Sequence, residues 1–182
     1  AVAVSEHAIM LMLAVSRDLI SQHANVAGGR WRGNDVPKLY ELRDKTLGIV
    51  GLGTIGKKTA RLAQAFGMNV IYYDIARLNE GEEDALNVRF RLLRELLGQA
   101  DLVSLHVPLN ESTTHLIGAG ELADMKPEAI MINTSRGPVI DEVAMYNALT
   151  NGTIAAAGLD VYDQEPPPAD NPLLALDNVI LT

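Results

Sequence analysis

The sequence predicts an α/β fold with a doubly wound parallel sheet, and three observations lead to this prediction. Short apolar, β-branched runs alternate with helix-like segments from Thr46 onwards, which is typical of a parallel sheet with helices on both faces. Three glycines spaced G-x-G-x-x-G follow the first run, and an acidic residue ends the second. We expect one domain over residues 1–182, with an apolar helix over residues 5–25 and a sheet core over residues 46–182.

Composition narrows the classes of function. The chain has 182 residues, of which 48% are hydrophobic and 21% charged, as in ordinary soluble domains. Its net charge of −8 argues against binding to nucleic acid or to an anionic membrane. The absence of cysteine excludes disulfides, thiolate metal sites and a cysteine nucleophile, and we expect no metal site. The longest apolar run, 8–15, is too short to cross a bilayer and lacks a preceding basic segment, so we expect a cytoplasmic protein.

The first predicted element is a helix from Ser5 to Asn25, with Ser5 as its N-cap. Its apolar residues between 8 and 20 cover more than one face, so the helix should be covered on several sides. We expect it to pack against a second domain, a partner subunit, or both, and with a partner subunit the protein would be a homodimer through this helix. The alternative is that it is a central core helix. The following segment, 28–33, is predicted to be a loop in which Trp31 is a packing anchor.

From Thr46 the strands and helices alternate, with glycine or a capping residue at most helix ends. The predicted strands are 46–50, 69–73, 102–107, 129–133, 154–162 and 178–181, and a short element is predicted around Val88. The predicted helices are 54–66, 91–97, 118–125 and 141–150, the last capped by Asp141. The polar, charged segment 77–87 is predicted to be a surface crossover.

Each glycine of the G-x-G-x-x-G segment has a separate task in this context. Gly51 lets the chain turn off the strand, Gly53 removes a Cβ so that a pyrophosphate can approach, and Gly56 allows close packing of the helix. The helix that begins with Thr54 and Ile55 offers unpaired N–H groups and a positive dipole end to the phosphates.

The acidic residue Asp74 ends the next apolar run and is placed to accept hydrogen bonds from the ribose diol of an adenosine. Three glycines alone could mark a flexible turn. A strand before them, a helix after them and an acid at the next strand end together predict a Rossmann-type dinucleotide site.

Other polar residues stand at predicted strand ends, where ligands bind in such sheets. They are His106, the turn 133–137 and the segment 160–165. His106 precedes Val107 and Pro108, and we expect it to shape the adenine side of the cleft.

Three charged residues of these segments have both a functional and an ordinary interpretation. Arg136 could hold a carboxylate through two parallel hydrogen bonds, or be a surface arginine in a turn. Glu165 could orient a histidine and favour its charged form, or be a solvated loop residue. Asp160 stands inside a predicted apolar strand and must find hydrogen-bond donors, one of which could be a nicotinamide carboxamide.

None of the four histidines is predicted to be the general acid/base that hydride transfer to or from a hydroxyl needs. His7 and His23 lie on the first helix, far in sequence from the strand ends, and His115 belongs to a connection.

Together these motifs resemble those of the D-isomer-specific 2-hydroxyacid dehydrogenases, specifically their NAD-binding domain. The similar stretches follow the family's order over essentially the whole chain and are jointly specific. They are 51–56 with Asp74, 104–109 with Thr113, 133–137 with 140–142, 158–162 with 165–166, and 171–173 with 178–182.

The resemblance implies a role for each site residue. Arg136 would bind the carboxylate of a 2-oxo acid, Glu165 would be the partner of a catalytic histidine, and Asp160 would contact the nicotinamide end. The glycine loop and Asp74 would hold the pyrophosphate and the adenosine ribose of NAD. The rest of the predicted coenzyme site comprises His106, Val107, Pro108, Thr113, Thr134 and Ser135.

The family pattern also implies what this chain lacks. In the family, the catalytic histidine follows a proline directly after the strand that here ends at Thr182. The family's substrate domain is built from sequence that precedes and follows the segment corresponding to this chain. We therefore expect this chain to be the coenzyme domain of a longer protein, without the substrate domain and inactive by itself.

The predicted reaction of the longer protein is reduction of a 2-oxo acid to the D-2-hydroxy acid with NADH, or the reverse. Glycerate, 3-phosphoglycerate, lactate and longer 2-hydroxy acids all remain open as substrates. Asp74 would repel the 2′-phosphate of NADP, although nearby Arg77 leaves NADP open. Two alternatives are an NAD-sensing interaction protein resembling transcriptional corepressors, and a relative of phosphite or formate dehydrogenases.

Overall fold

The computed structural model describes residues 1–31 and 39–182 and confirms the predicted fold class. Within these residues, seven strands form one sheet in the order β3-β2-β1-β4-β5-β6-β7, and all six neighbouring pairs are parallel. The strands are β1 Thr46–Val50, β2 Asn69–Tyr73, β3 Arg89–Phe90, β4 Leu102–Leu105, β5 Ile130–Asn133, β6 Ala156–Leu159 and β7 Val179–Leu181.

Helices cover both faces of the sheet, and a separate apolar core fills each side. They are α1 Val2–Ser16, α2 Leu19–Ala27, α3 Thr54–Ala65, α4 Glu80–Leu86, α5 Leu93–Gln99, α6 Ala119–Ala123 and α7 Glu142–Thr150. Two short 3₁₀ helices span Gly137–Val139 and Pro172–Ala175. No helix of the described parts of the chain has the length and apolarity that crossing a membrane requires.

The single helix predicted from Ser5 to Asn25 is wrong, because α1 and α2 are separate helices. Asp18 adopts a left-handed backbone conformation (φ +47°) between them, which an α-helix cannot include. Ser5 is not the N-cap either: it lies inside α1, is buried, and its hydroxyl donates to the carbonyl of Val2 at 2.7 Å.

The interpretation of the first helix as a core helix holds for α1. Leu11 of α1 is fully buried, and α1 lies so close to β6 that a Cβ added at Gly158 would stand 3.0 Å from the Cβ of Leu11. By contrast, α2 has no buried residue. Trp31 is 73% exposed, so its predicted role as a packing anchor is wrong; residues 32 and 33 of that predicted loop lie outside the described residues.

The surface connection predicted for 77–87 contains α4. Asn79 caps this helix by accepting from the backbone N–H of Glu82 at 3.0 Å, while the Glu82 carboxylate accepts from the backbone N–H of Asn79 at 3.0 Å. Acidic side chains in the first turn also suit the positive end of the helix dipole. The many charges of this segment therefore belong to a capped helix rather than to an irregular connection.

Candidate functional site

The carboxyl ends of the seven parallel strands lie along one edge of the sheet. The strand order runs from β1 to β2 and β3 on one side and from β1 to β4 and onwards on the other, so β1 and β4 flank a topological switch point. In such sheets a crevice opens at this point and binds ligands. The predicted site residues follow β1, β2, β4, β5 and β6, so the fold brings them to this one edge.

The three glycines after β1 are needed for different reasons. Gly51 has a positive φ of +93°, and a Cβ there would lie 2.8 Å from the carbonyl oxygen of His106. A Cβ on Gly56 would collide with the carbonyl oxygen of Gly51. Gly53 has an ordinary φ of −72°, and no atom lies within 4 Å of the place where its Cβ would stand. Packing within this chain does not require glycine at position 53, and the space beside it is open to a ligand.

The start of α3 has the character of an anion site. Gly53 is its N-cap residue and supplies no side-chain hydrogen bond, and the first turn contains no acidic residue. The N–H groups of this turn have no partner within the helix, and they carry the positive end of the helix dipole. Thr54 and Ile55 provide the first of these N–H groups, which can bind an anion.

The Asp74 carboxylate holds the glycine loop to the end of β2. One of its oxygens accepts from the backbone N–H of Leu52 at 2.7 Å, and the other accepts from that of Ala76 at 2.9 Å. A carboxylate can accept about four hydrogen bonds, so these two leave capacity for a ribose diol. The neighbouring Ile75 is 94% exposed and offers apolar surface at the same strand end.

The Arg77 side chain is engaged by its own neighbours. Its Nε lies 3.3 Å from the carboxylate of Glu83, and its guanidinium carbon stands 4.9 Å from the centre of the Phe90 ring. These contacts direct the Arg77 guanidinium, a cation that could have favoured a 2′-phosphate, towards α4 and β3.

The segment after β4 is shaped by His106. Burial lowers the pKa of its imidazole from 6.5 to about 4, so the ring is neutral at pH 7, and its Nε2 lies 3.0 Å from the hydroxyl of Ser104. Beyond Val107, the hydroxyl of Thr113 donates to the carbonyl of Pro108 at 2.6 Å and closes the loop. His106 therefore borders the glycine loop as a neutral group rather than as an acid/base.

The turn after β5 is organised by the side chain of Asn133. Its Oδ1 accepts from the backbone N–H of Ser135 at 3.0 Å and from the Ser135 hydroxyl at 2.8 Å, and its Nδ2 donates to the carbonyl of Arg136 at 2.9 Å. Gly137 then packs directly against the backbone of Tyr162, where a Cβ would not fit. This supporting role of Asn133 was not predicted from the sequence.

Two side chains of this turn are suited to a ligand. The hydroxyl of Thr134 is buried and has no hydrogen-bond partner among the described residues, which is costly unless a ligand or water supplies one. Arg136 is exposed, and its Nη1 donates to the carbonyl of Ser135 at 2.6 Å, which leaves other guanidinium N–H groups for an anion.

Asp160, at the end of β6, finds donors from two other elements. Its Oδ1 accepts from the hydroxyl of Thr182 at 3.1 Å, and the Nε2 of His7 lies 3.4 Å from the same oxygen. His7 and Thr182 are 2.8 Å apart, although 175 residues separate them in sequence. His7 is far in sequence from the strand ends, yet it contacts Asp160 at the end of β6. No local pattern predicts this contact, because it depends on how α1 crosses the sheet.

Glu165 is exposed, and its carboxylate accepts from the backbone N–H of Tyr162 at 3.1 Å. Glu142 supports the same segment by accepting from the backbone N–H of Asp163 at 3.1 Å and from the side-chain amide of Asn171 at 2.6 Å. Glu165 is thus held in place by the loop that follows β6.

Comparison with known proteins places this arrangement in context. Over residues 9–182 the chain matches the family described as "D-isomer specific 2-hydroxyacid dehydrogenase, NAD binding domain". It is 46% identical over 180 residues to a glyoxylate reductase of Korarchaeum cryptofilum, covering 97% of this chain and 54% of the relative. It is 45% identical over 181 residues to a D-3-phosphoglycerate dehydrogenase of Methanocaldococcus jannaschii, covering 100% of this chain and 34% of the relative.

A solved structure agrees with these relatives. The D-lactate dehydrogenase with NAD+ from Lactobacillus jensenii matches with a TM-score of 0.88 and 34% identity, covering 99% of this chain and 57% of that one. The chain spans about half the length of most of the relatives it matches, and a third of the D-3-phosphoglycerate dehydrogenase.

Proposed function

This chain belongs to the D-isomer-specific 2-hydroxyacid dehydrogenases, of which it is the NAD-binding domain, and from that premise we propose that it serves an enzyme interconverting a 2-oxo acid and a D-2-hydroxy acid. One observation carries the proposal. The open space at Gly53 stands against the uncapped start of α3, and the Asp74 carboxylate is tied to the same loop. The backbone N–H groups of such a corner can donate to phosphate, and the carboxylate can accept from ribose hydroxyls.

The residues present fit NAD along the whole edge. The glycine loop and α3 would hold the pyrophosphate, Asp74 the adenosine ribose, and Asp160 the nicotinamide end. The unpartnered hydroxyl of Thr134 would gain a hydrogen-bond partner in the occupied site. When bound, NADH supplies the hydride for reduction of the 2-oxo acid.

We propose that Arg136 holds the substrate carboxylate. Its guanidinium is exposed, it follows β5 at the carboxyl edge of the sheet, and its backbone is fixed by Asn133. A planar guanidinium binds a carboxylate through two parallel hydrogen bonds, which both neutralises and orients the acid. Glu165 is proposed to orient the histidine that exchanges the proton, as the family pattern implies. None of the four histidines of this chain is proposed as that group.

Steady-state kinetics of the full-length protein tests the reaction. With NADH we expect turnover of at least one of glyoxylate, hydroxypyruvate and pyruvate. Arg136→Gln should raise KM for the 2-oxo acid on the order of 100-fold, because a paired charge is lost. Arg136→Lys keeps the charge but loses the two parallel hydrogen bonds of the guanidinium, so its KM should lie between those of the wild type and Arg136→Gln. An Arg136→Gln protein with the wild-type KM would contradict the carboxylate assignment. The 182-residue chain itself is proposed to bind NAD(H) without turnover.

NAD is proposed over NADP as the physiological coenzyme. A 2′-phosphate would stand against the Asp74 carboxylate, and Arg77 is already paired with Glu83. Comparison of NADH and NADPH titrations tests this, and tighter binding of NADPH would contradict it.

A homodimer through the first two helices is also proposed. Apolar side chains on their outer surface are exposed, with Met10 at 45%, Leu19 at 53% and Ile20 at 60%. A groove of ≈ 430 Å³ is lined by Ile9, Met10, Leu13, Leu19 and Leu62 among others. Exposed apolar side chains lining a groove in this way are typical of a subunit interface.

The corepressor and phosphite or formate dehydrogenase alternatives are not favoured, because the curated relatives above are by name a glyoxylate reductase and a D-3-phosphoglycerate dehydrogenase. The identity of the acid and the expected cytoplasmic location stay predictions, which a substrate panel and cell fractionation would test.

A further inference from the structure

We propose that His7 is a positioning residue for the nicotinamide end of the coenzyme site. Through Thr182 it fixes the carboxylate of Asp160, so that the second carboxylate oxygen is presented to the primary carboxamide of the coenzyme. This inference rests on the proposed function, because it takes the coenzyme carboxamide as the group that Asp160 binds.

The geometry consists of three side chains from three elements. The Nε2 of His7 on α1 lies 2.8 Å from the hydroxyl of Thr182, which directly follows β7. That hydroxyl lies 3.1 Å from Oδ1 of Asp160, which directly follows β6. The backbone N–H of Thr182 also donates to the carbonyl of Leu159 at 3.0 Å, so the hydroxyl is held in place by the sheet.

The direction of the hydrogen bonds follows from the chemistry of the groups. An ionised carboxylate only accepts, so the single hydroxyl proton of Thr182 is donated to Asp160. The oxygen of Thr182 must then accept from His7, which places a proton on Nε2 of the imidazole. Donors and acceptors that follow one another in this way strengthen each other and fix the orientation of the last group.

The consequence for a ligand lies in the two oxygens of Asp160. Both protein contacts are to Oδ1, and within the described residues Oδ2 has no protein donor. The Asp160 side chain is 38% exposed, so a ligand can reach it. A primary carboxamide has an NH₂ group that donates to a carboxylate oxygen, which is the chemistry this end of NAD presents.

His7 is not needed to hold α1 on the sheet. Its side chain is 31% exposed, whereas Leu11 and Met12 are fully buried and anchor the helix in the core. Replacement of His7 is therefore expected to change the site more than the stability of the fold.

The test is titration of the chain with NADH and, separately, with ADP-ribose, which lacks the nicotinamide ring. His7→Ala should weaken NADH binding about 3- to 10-fold, the effect of losing one hydrogen bond, and leave ADP-ribose binding unchanged. His7→Gln, which can place an amide N–H near the position of Nε2, should restore most of the NADH affinity. His23→Ala, which removes the exposed histidine of α2, is the matched control and should bind both ligands like the wild type.

Two further measurements separate positioning from general damage. The coenzyme analogue with a 3-acetyl group in place of the carboxamide has no NH₂ to donate, so His7→Ala should not weaken its binding. Thr182→Val should resemble His7→Ala, and the double variant should bind NADH no more weakly than either single variant, because both break the same chain of hydrogen bonds.

Unchanged NADH binding in His7→Ala would overturn the proposal, as would an equal loss of ADP-ribose affinity or additive losses in the double variant. A wild-type chain that binds neither NADH nor ADP-ribose would instead refute the proposed function, so the two failures are distinguishable.

Discussion

At the scale of single residues, the glycine loop shows that one motif can combine internal and external requirements. Gly51 needs its positive φ, and Gly56 needs its missing Cβ because the Gly51 carbonyl occupies that space. Gly53 meets neither condition, since its φ is ordinary and the space beside it is open. The reason for glycine at position 53 must therefore lie in what binds there. Within this loop, Gly51 and Gly56 serve the fold, whereas Gly53 serves ligand binding.

Substitutions at the second and third glycines should have opposite effects. Gly53→Val should leave the melting temperature close to that of the wild type and weaken NADH binding roughly tenfold or more, which is about 1.4 kcal/mol. Gly56→Ala should lower the melting temperature, because the added methyl group collides with backbone. Thermal denaturation and calorimetric titration of both variants measure these effects. A Gly53→Val protein that binds NADH normally would show that no pyrophosphate approaches this residue.

His106 makes the stability of the fold depend on pH. Its folded-state pKa of about 4 lies below the ordinary 6.5, so the unfolded chain takes up a proton that the folded chain does not. This contribution is complete above pH 6.5 and is lost as the pH falls towards 4, at about 1.4 kcal/mol per pH unit. Denaturant unfolding from pH 7 to 4 should therefore give a flatter profile for His106→Gln than for the wild type.

Since the carboxylates are common to both proteins, their titration cancels in that comparison. Parallel profiles for the two proteins would mean that the His106 ring is not shielded from water.

At the scale of elements, α1 is both a core helix and a surface helix. Leu11 is fully buried against the sheet, whereas the adjacent Met10 is 45% exposed on the opposite side. The sequence could not separate these faces, because the apolar residues run almost continuously from 8 to 15. Neither could it locate the break at Asp18, because aspartate adopts both helical and left-handed conformations and the choice depends on where α2 packs.

A pair of neighbouring substitutions distinguishes the two faces of α1. Met10→Glu should keep the fold and convert the proposed dimer of the full-length protein to a monomer, because a charge enters an apolar interface. Leu11→Glu should instead unfold the domain, since an unpaired charge in the core costs several kcal/mol. Light scattering with circular dichroism measures both outcomes. A folded Met10→Glu protein that is still a dimer would exclude this surface as the interface.

At the scale of the whole molecule, the parallel topology explains how much of the site could be predicted. Strand ends of a doubly wound sheet share one edge, so the positions of Asp74, Arg136 and Asp160 along the chain were enough to bring them together. The contact of His7 with Asp160 could not be predicted in this way, because it depends on the path of α1 across β6 and β7. The hydrogen bonds of Asn133 could not be predicted either, because the sequence does not distinguish a buried amide side chain from an exposed one.

Which strands and helices could be predicted also depended on whether the sequence carries a local signal for them. The bounds of β1 and β2 were predicted correctly because short apolar runs and flanking glycines are local signals. The helix α4 was missed, although its capping box is also local, because a charged seven-residue segment gives no apolar periodicity.

The central claim is that the carboxyl edge of the sheet, at the switch point between β1 and β4, binds a dinucleotide. Calorimetric titration of the 182-residue chain with NADH tests this claim most directly. The account predicts saturable binding of one NADH per chain, with ADP-ribose competing for the same site. Absence of any binding heat at millimolar NADH, or binding that ADP-ribose does not displace, would contradict it.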